Sequence, residues 1–180
     1  MPEDRLVEQW SAALCLSDED DNEHVIGHAH IVRCRIGDPR VFDLLDALDG
    51  DLSAVASVVL DPSSGEPAGP VEDMIEGFGE NFLILDRVEL LPGWHGRGLG
   101  RWFAAEAIEV LSDGGTFVAA YAAPMDDSEG IERRRAESKL KGVWGDIGFK
   151  PVGGNVMVLD LALVTLSNRL AELRSDFGVH

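Results

Sequence analysis

The sequence predicts a single domain of the mixed α/β class, in which a twisted sheet is flanked by helices on both faces. Segments rich in Val, Ile and aromatic residues alternate with amphipathic segments along the 180 residues. A hairpin opens the chain, and a central apolar strand runs into a glycine-rich turn that begins a helix. A hydrophobic content of 45% is sufficient for one core of this size.

The N-terminal segment predicts a β-hairpin. Arg5–Leu16 and His24–Ile36 have strand composition, and the acidic, turn-forming residues 17–22 lie between them. Cys15 and Cys34 each lie in one of these apolar stretches. Two cysteines in a chain of this type are expected to be buried, reduced thiols rather than a disulfide.

Two helices and a loop are predicted next. Pro39–Leu48 is a helix that Asp38 can cap, because Pro is suited to the first turn and Asp accepts from free N–H groups. A second, shorter helix covers Leu52–Leu60, and residues 61–70 form a surface loop or a lid. The apolar face of the first helix is expected to hold Val41, Leu44, Leu45 and Leu48.

The central part predicts a strand, a helix and a second strand. Phe82–Leu91 and Thr116–Ala123 are strands, and Gly98–Leu111 is the helix between them. Because a helical crossover joins parallel neighbours, these two strands should run parallel. The inner face of the helix is expected to hold Leu99, Trp102, Phe103, Val110 and Leu111.

The C-terminal part predicts two helices and two short strands. A helix over residues 131–144 precedes strands at Phe149–Val152 and Asn155–Leu163, which turn at Gly153-Gly154. Apolar residues then recur at alternating steps of three and four, namely Leu163, Leu166, Leu170, Leu173 and Phe177. This spacing predicts an amphipathic helix that docks on its own domain or forms a homodimer contact.

The turn between the central strand and its helix carries the strongest functional signal. Gly96, Gly98 and Gly100 remove side-chain bulk where backbone N–H groups converge at the positive end of a helix. A P-loop would require Lys followed by Ser or Thr, whereas Arg101-Trp102 follows here, and the spacing also misses the Rossmann fingerprint. An anion-binding loop and an ordinary glycine-rich turn both fit the bare spacing.

The residues from Val88 to Arg101 resemble motif A of the GNAT acetyltransferases, whose Arg/Gln-x-x-Gly-x-Gly/Ala loop binds the pyrophosphate of acetyl-CoA. His95 stands where the family usually has Arg or Gln, and Gly98 and Gly100 match its two diagnostic glycines. Glu137–Phe149 resembles motif B, a helix that ends in Gly-Phe before a strand. The resemblance covers about residues 82–161.

The resemblance implies a GNAT-like mixed sheet with a divergent N-terminal hairpin and helices. Residues 1–80 would form the acceptor side, 81–163 the acyl-CoA-binding core and 164–180 a C-terminal helix. The strands of Leu90 and Tyr121 would splay apart to admit the pantetheine arm. The activity implied is direct transfer of an acetyl group from acetyl-CoA, the cosubstrate, to a primary amine.

The same resemblance nominates site residues. The base that deprotonates the amine is expected to be Glu89, which could instead be an exposed charge. Trp144 stands where the family often has a Tyr that acts as general acid, and an indole cannot protonate the leaving thiolate. Tyr121 is therefore the candidate for that role, although it could equally be a packed aromatic residue. Glu137 replaces an Asn that often contacts the cofactor. Cofactor contacts are expected from Leu90, Leu91, His95, Gly96, Arg97, Gly98, Leu99, Gly100 and Arg101.

The net charge and its distribution limit the classes of partner that the chain is expected to bind. The net charge is −18, of which residues 1–80 carry −15, with 19 acidic and 4 basic side chains, and the remainder carries −3. Such a surface disfavours nucleic acid, and it serves solubility or attracts a cationic amine. The acceptor is expected to be a small molecule or a protein amine.

Neither a membrane segment nor a metal site is expected. The sequence holds no apolar run of spanning length and no signal peptide, which predicts a cytoplasmic protein. His24, His28 and His30 share one face of a strand, but no further ligand completes a metal set. A catalytically degenerate acyl-CoA-binding module, with Trp144 and Glu137 as its marks, is the alternative to an enzyme.

Overall fold

A computed structural model describes residues 5–124, 126 and 128–178 of the chain. Its centre is one six-stranded sheet in the order β1-β2-β3-β4-β6-β5. Neighbouring strands are antiparallel except β3 and β4, which are parallel as predicted. The strands are β1 (Val7–Ser17), β2 (Glu23–Arg35), β3 (Asn81–Leu90), β4 (Gly115–Tyr121), β5 (Lys150–Gly153) and β6 (Val156–Asp160).

Helices cover both faces of this sheet, which confirms the predicted fold class. They are α1 (Arg40–Leu48), α2 (Gly50–Val59), α3 (Gly69–Glu72), α4 (Leu99–Leu111), α5 (Gly130–Asp146) and α6 (Thr165–Phe177). One apolar cluster joins α1 and α2 to one face of the sheet, and another joins α4, α6 and the end of α5 to the opposite face. Alternate residues of each strand therefore enter different cores.

Strand β3 changes its environment halfway along. Its first half pairs with both neighbours, and the last pair with β4 joins Leu85 to Ala120. Asp86 is then an extra residue opposite β2, because Leu85 pairs with Ile31 while Arg87 pairs with His30. Such a bulge re-aims the residues that follow it. Beyond it β3 pairs with β2 alone, so β3 and β4 separate at their carboxyl ends.

Several predicted boundaries and faces need correction. Leu44 and Leu48 of α1 are 42% and 45% exposed, so only Val41 and Leu45 of the predicted face are buried. Val110 is 78% exposed, although Leu111 in the same last turn of α4 packs against the core. The predicted loop also contains the start of the one-turn helix α3, which is too short to show periodicity.

The C-terminal helix forms as predicted, whereas Asp38 lies one residue before the N-cap of α1, which is Pro39. The Asp38 carboxylate accepts a hydrogen bond from the Arg40 N–H at 3.0 Å, although the helix proper begins one residue later than expected. Leu166, Leu170 and Leu173 are buried against the α4 side of the sheet. The apolar face of α6 therefore docks on its own domain, and a dimer contact through that face is not supported.

The two cysteines occupy different environments. Cys34 is buried in the α1–α2 core, where burial raises the pKa of its thiol well above the usual range. Cys15 is exposed at a register shift near the end of β1, which corrects the expectation that both are buried. Both are free thiols. No helix within the described ranges is long and apolar enough to span a membrane.

Candidate active site

The glycine-rich turn links the open end of β3 to α4. After Leu90 the chain forms a 3₁₀ turn at Pro92–Trp94, and Gly96 and Gly98 then adopt φ of 75° and 77°. This left-handed backbone favours glycine, and Gly98 is the N-cap of the 13-residue helix α4. The first N–H groups of a helix lack intrahelical partners and attract anions. The turn therefore has the geometry of an anion site.

The side chains of the turn hold its shape. His95 donates from Nε2 to the Leu90 carbonyl oxygen at 2.7 Å. The Arg97 guanidinium lies 5.1 Å from the centre of the Trp94 ring. Arg101 donates to Asp146 at the end of α5 at 2.7 Å, so its side chain ties α4 to α5. The same guanidinium lies beside Gly98, where a Cβ would stand 3.2 Å from its nearest nitrogen.

The backbone of Leu90 faces the gap between the separating strands. The Leu91 N–H donates to the Ile26 carbonyl at 2.8 Å, so Leu91 points its backbone groups toward β2. Neighbouring residues of a strand point these groups to opposite edges. Leu90, whose carbonyl oxygen already accepts from His95, therefore presents its N–H at the open edge, and Val88 presents its backbone groups at the same edge.

A cleft of about 420 Å³ lies where β3 and β4 separate, and we call it the β3–β4 cleft. Its walls come from the second half of β3, the end of β4, the loop that follows and one face of α5. Its lining residues are Leu85, Asp86, Arg87, Val88, His95, Tyr121, Ala123, Pro124, Asp126, Ala136, Lys139, Leu140, Val143 and Trp144. The sequence-predicted residues His95, Tyr121 and Trp144 therefore share one cleft.

Asp86 is the acidic residue of β3 in this cleft, and sequence reasoning missed it. Burial raises the pKa of its carboxyl, Arg87 acts in the opposite direction, and Asp49 adds to the rise. No described residue donates a hydrogen bond to it. A raised pKa in a cleft is a mark of functional carboxylates. The available signal was a charge that interrupts the apolar run of β3.

Glu89, the carboxylate predicted as the base, lies elsewhere. It is exposed, pairs across the sheet with His28, and lines an adjoining cavity that shares only Val88 and His95 with the β3–β4 cleft. Asp86 is the bulged residue itself, and Glu89 lies three residues beyond it on β3. The structure does not bring Glu89 into the β3–β4 cleft.

Both candidate aromatic residues are packed. Trp144 is 9% exposed, and its ring centre lies 6.4 Å from that of Phe149. Tyr121 is half-buried and contacts the α1–α2 core while its side chain also lines the cleft. Of the α5 residues compared with the family motif, Glu137 accepts from Arg133 at 3.2 Å. That carboxylate is therefore committed to an ion pair within its own helix.

The histidines of β2 do not form a ligand set. His24 is 3.0 Å from the Asp18 carboxylate in the hairpin turn, and His30 Nδ1 is 3.3 Å from the Ser11 hydroxyl. Across residues 5–124, 126 and 128–178, no group of three or more His, Cys, Asp or Glu side chains lies close enough to hold a metal ion.

The parallel strands β3 and β4 thus separate beside a glycine-rich helix start, which leaves an open strand edge next to the unpaired N–H groups of α4. Comparison with family models and with curated protein sequences finds no match. Solved structures with similar folds include a mutant of KacT, at 13% identity and a TM-score of 0.48, with 88% of this chain and 73% of that chain covered.

Two further similar structures are of AtaT. AtaT complexed with acetyl-methionyl-tRNAfMet has 15% identity and a TM-score of 0.47, and covers 88% of this chain and 74% of that one. AtaTR bound with AcCoA has 14% identity and a TM-score of 0.43, covering 96% and 73%. Similarity at this level does not assign the chain to a family.

Proposed function

We propose that the protein is an acetyl-CoA-dependent N-acetyltransferase that moves an acetyl group directly to a primary amine. One observation carries this proposal: β3 and β4 separate beside a glycine-rich helix start, and the cleft between them contains a desolvated carboxylate. The arrangement combines a phosphate site, a channel for an extended arm and a proton acceptor.

The residues of the turn and the strand fit acetyl-CoA. The first N–H groups of α4, from Leu99 to Arg101, would bind the pyrophosphate, because they lie at the positive end of a helix that Gly98 begins. The open edge at Val88 and Leu90 would bind the amide groups of the pantetheine arm. When bound, acetyl-CoA supplies a thioester carbonyl carbon that an amine can attack.

Asp86 is the proposed base. An alkylammonium must lose a proton before its nitrogen can attack. A half-buried carboxylate that receives no hydrogen bond from the described residues is suited to accept that proton. The new C–N bond forms as the C–S bond breaks, and the leaving thiolate takes up a proton. Glu89, which the sequence favoured, is the alternative base.

Tyr121 is proposed to donate the proton that the leaving thiolate takes up. It is the only tyrosine of the chain and it lines the cleft. The indole of Trp144 has no acidic proton, so its place in the cleft wall is a packing role. A CoA thiolate is also a fairly good leaving group, which limits how much an acid is needed.

The acceptor is proposed to be a small molecule or a protein amine. An amine carried by a nucleic acid is a third class to include in the test, because AtaT is complexed with acetyl-methionyl-tRNAfMet. The net charge of −18 argues against that class here, and its exclusion stays a prediction. A cytoplasmic location likewise stays a prediction.

A catalytically degenerate acyl-CoA-binding module is the second candidate. Two observations favour it, namely the buried indole of Trp144 in the cleft and the commitment of Glu137 to Arg133. The two candidates share the cofactor site and differ only in turnover.

The test compares acetyl-CoA binding and turnover in matched variants. Gly98→Glu places a negative charge at the phosphate site and should weaken acetyl-CoA binding in calorimetry by about 10² or more. Gly114→Glu is the control, since Gly114 has a similar φ of 68° but lies before β4 at the opposite end of the sheet. Unchanged binding in Gly98→Glu would refute the cofactor site. Binding without thiol release toward any amine would favour the module.

A further inference from the structure

A second, smaller cavity lies on the α1–α2 face of the sheet, and we call it the polar cavity. Its volume is about 210 Å³. Strands β1, β2 and β3 form its floor, and the junction of α1 and α2 forms its wall. Its lining residues are Gln9, Trp10, His30, Ile31, Val32, Leu48, Asp49, Leu52, Asp86 and Arg87.

The polar cavity and the β3–β4 cleft share a wall. Asp86 and Arg87 line both spaces. The cause is the bulge, which places Asp86 as an extra residue between the pairs Leu85–Ile31 and Arg87–His30. A molecule in the polar cavity therefore reaches the same carboxylate as a molecule in the cleft.

The electrostatics of this cavity favour a cation. Asp49 and Asp51, at the start of α2, both act on Asp86 as like charges, while His30 and Arg87 act in the opposite direction. Asp49 is the N-cap of α2, where its Oδ1 accepts from the Asp51 N–H at 2.8 Å, and it lines the cavity. The cavity thus has one carboxylate at its wall and another at its floor.

The opposite face of the sheet lacks this chemistry. A cavity of about 300 Å³ there is lined almost wholly by apolar groups of β1, β2 and α4, including Trp10, Phe103 and Val110. Neither Asp86 nor Arg87 lines it. An amine that approached from that face would have no carboxylate of β3 to accept its proton.

We infer that the polar cavity is the acceptor site and that it takes a small amine with a second positive charge. The reacting nitrogen would face Asp86, and the second ammonium would face Asp49. This inference rests on the proposed function, since Asp86 is taken as the base that accepts the proton when the C–N bond forms and the C–S bond breaks. It adds the route of entry and the charge of the acceptor.

The test pairs two amines with two variants. Cadaverine has an ammonium at each end, whereas n-pentylamine has the same carbon chain and only one. Asp49→Asn keeps an N-cap for α2 and should lower kcat/KM for cadaverine about tenfold, while n-pentylamine changes less than about twofold. Asp43→Asn is the control, because Asp43 is exposed on α1 outside the cavity and its loss changes net charge equally.

The readouts separate the inference from the proposed function. Acetyl-CoA affinity should be equal in the parent, Asp49→Asn and Asp43→Asn. Cadaverine binding, measured by calorimetry in the absence of turnover, should weaken about tenfold in Asp49→Asn alone. No cadaverine binding by the parent, or equal losses for both amines, would overturn the inference. Cadaverine binding without acetylation would instead overturn the proposed activity and leave the cation site standing.

Discussion

The two halves of β3 differ in every property that decides what a strand can do. From Phe82 to Leu85 the side chains are buried, at 3% exposure or less, and both edges are paired. From Asp86 to Leu90 one edge is open and all five residues are partly or fully exposed. One strand thus belongs to the core in its first half and to the proposed site in its second.

The transition between the halves is a single extra residue. The bulge at Asp86 changes which face the next side chains occupy, since both Leu85 and Val88 contact the α4 side of the sheet. In an unbroken strand these two residues would point to opposite faces. The difference teaches that the proposed site depends on a local break in the pairing of β3. The regular pairing of the first half holds the strand in place up to that break.

The largest expected effect tests which carboxylate of the open half is the base. Asp86→Asn should lower turnover by about 10² to 10⁴, the usual range for loss of a general base, with acetyl-CoA affinity retained. Glu89→Gln should remain within about threefold of the parent, since Glu89 is exposed outside the cleft. Steady-state kinetics with a reactive amine is the measurement. The reverse pattern would restore Glu89 as the base.

The second prediction concerns stability in the closed half. Leu83→Ala removes a side chain with 0% exposure and should destabilise the fold by about 2–5 kcal/mol. Val88→Ala, at a half-exposed position of the open half, should cost about 1 kcal/mol or less. Chemical denaturation with a common m-value compares the two. Equal losses would contradict the contrast between the halves.

The third prediction concerns the neighbour strand at the point of separation. Tyr121→Phe removes only the hydroxyl and should lower turnover by about 10² if that group protonates the thiolate. Trp144→Phe should alter cleft packing and acetyl-CoA affinity while the pH profile keeps its shape. Kinetics across pH for both variants makes the comparison. Parental turnover in Tyr121→Phe would assign that proton to solvent.

The smallest expected effect concerns how much the Asp86 carboxylate, the proposed base, destabilises the fold. Burial raises the pKa of Asp86, so its ionised form is less favourable in the folded than in the unfolded chain. Asp86→Asn should therefore raise Tm by roughly 1–3 °C at pH 7. This gain should shrink as pH falls through the raised pKa toward about 3.9, where the unfolded carboxyl also binds its proton.

Thermal unfolding of parent and Asp86→Asn at pH 7 and pH 4 checks this sign. A variant that is less stable than the parent at pH 7 would show that the carboxylate is stabilised in the fold, and it would remove the argument for a desolvated base. Glu89→Gln is the control for the loss of one charge from β3.

Much of the fold was determined by the sequence alone. The hairpin follows from two strand-like segments joined by a turn, and the parallel pair follows from the helix that connects its strands. The spacing of apolar residues predicts the amphipathic helices, although for α6 it left docking on its own domain and a dimer contact both open. The turn at Gly96 and Gly98 was also visible, because a left-handed backbone selects glycine locally. These features depend on residues close together in the chain.

Only the tertiary structure decided which side chains meet in the site. Asp86 was hidden because a bulge arises from the register of β3 against β2, which no local pattern in β3 records. Glu89 was chosen by its place beside Leu90, yet the same bulge leaves it outside the cleft. Periodicity specifies what each element buries, whereas long-range pairing specifies where two strands separate, and the proposed chemistry lies at that separation.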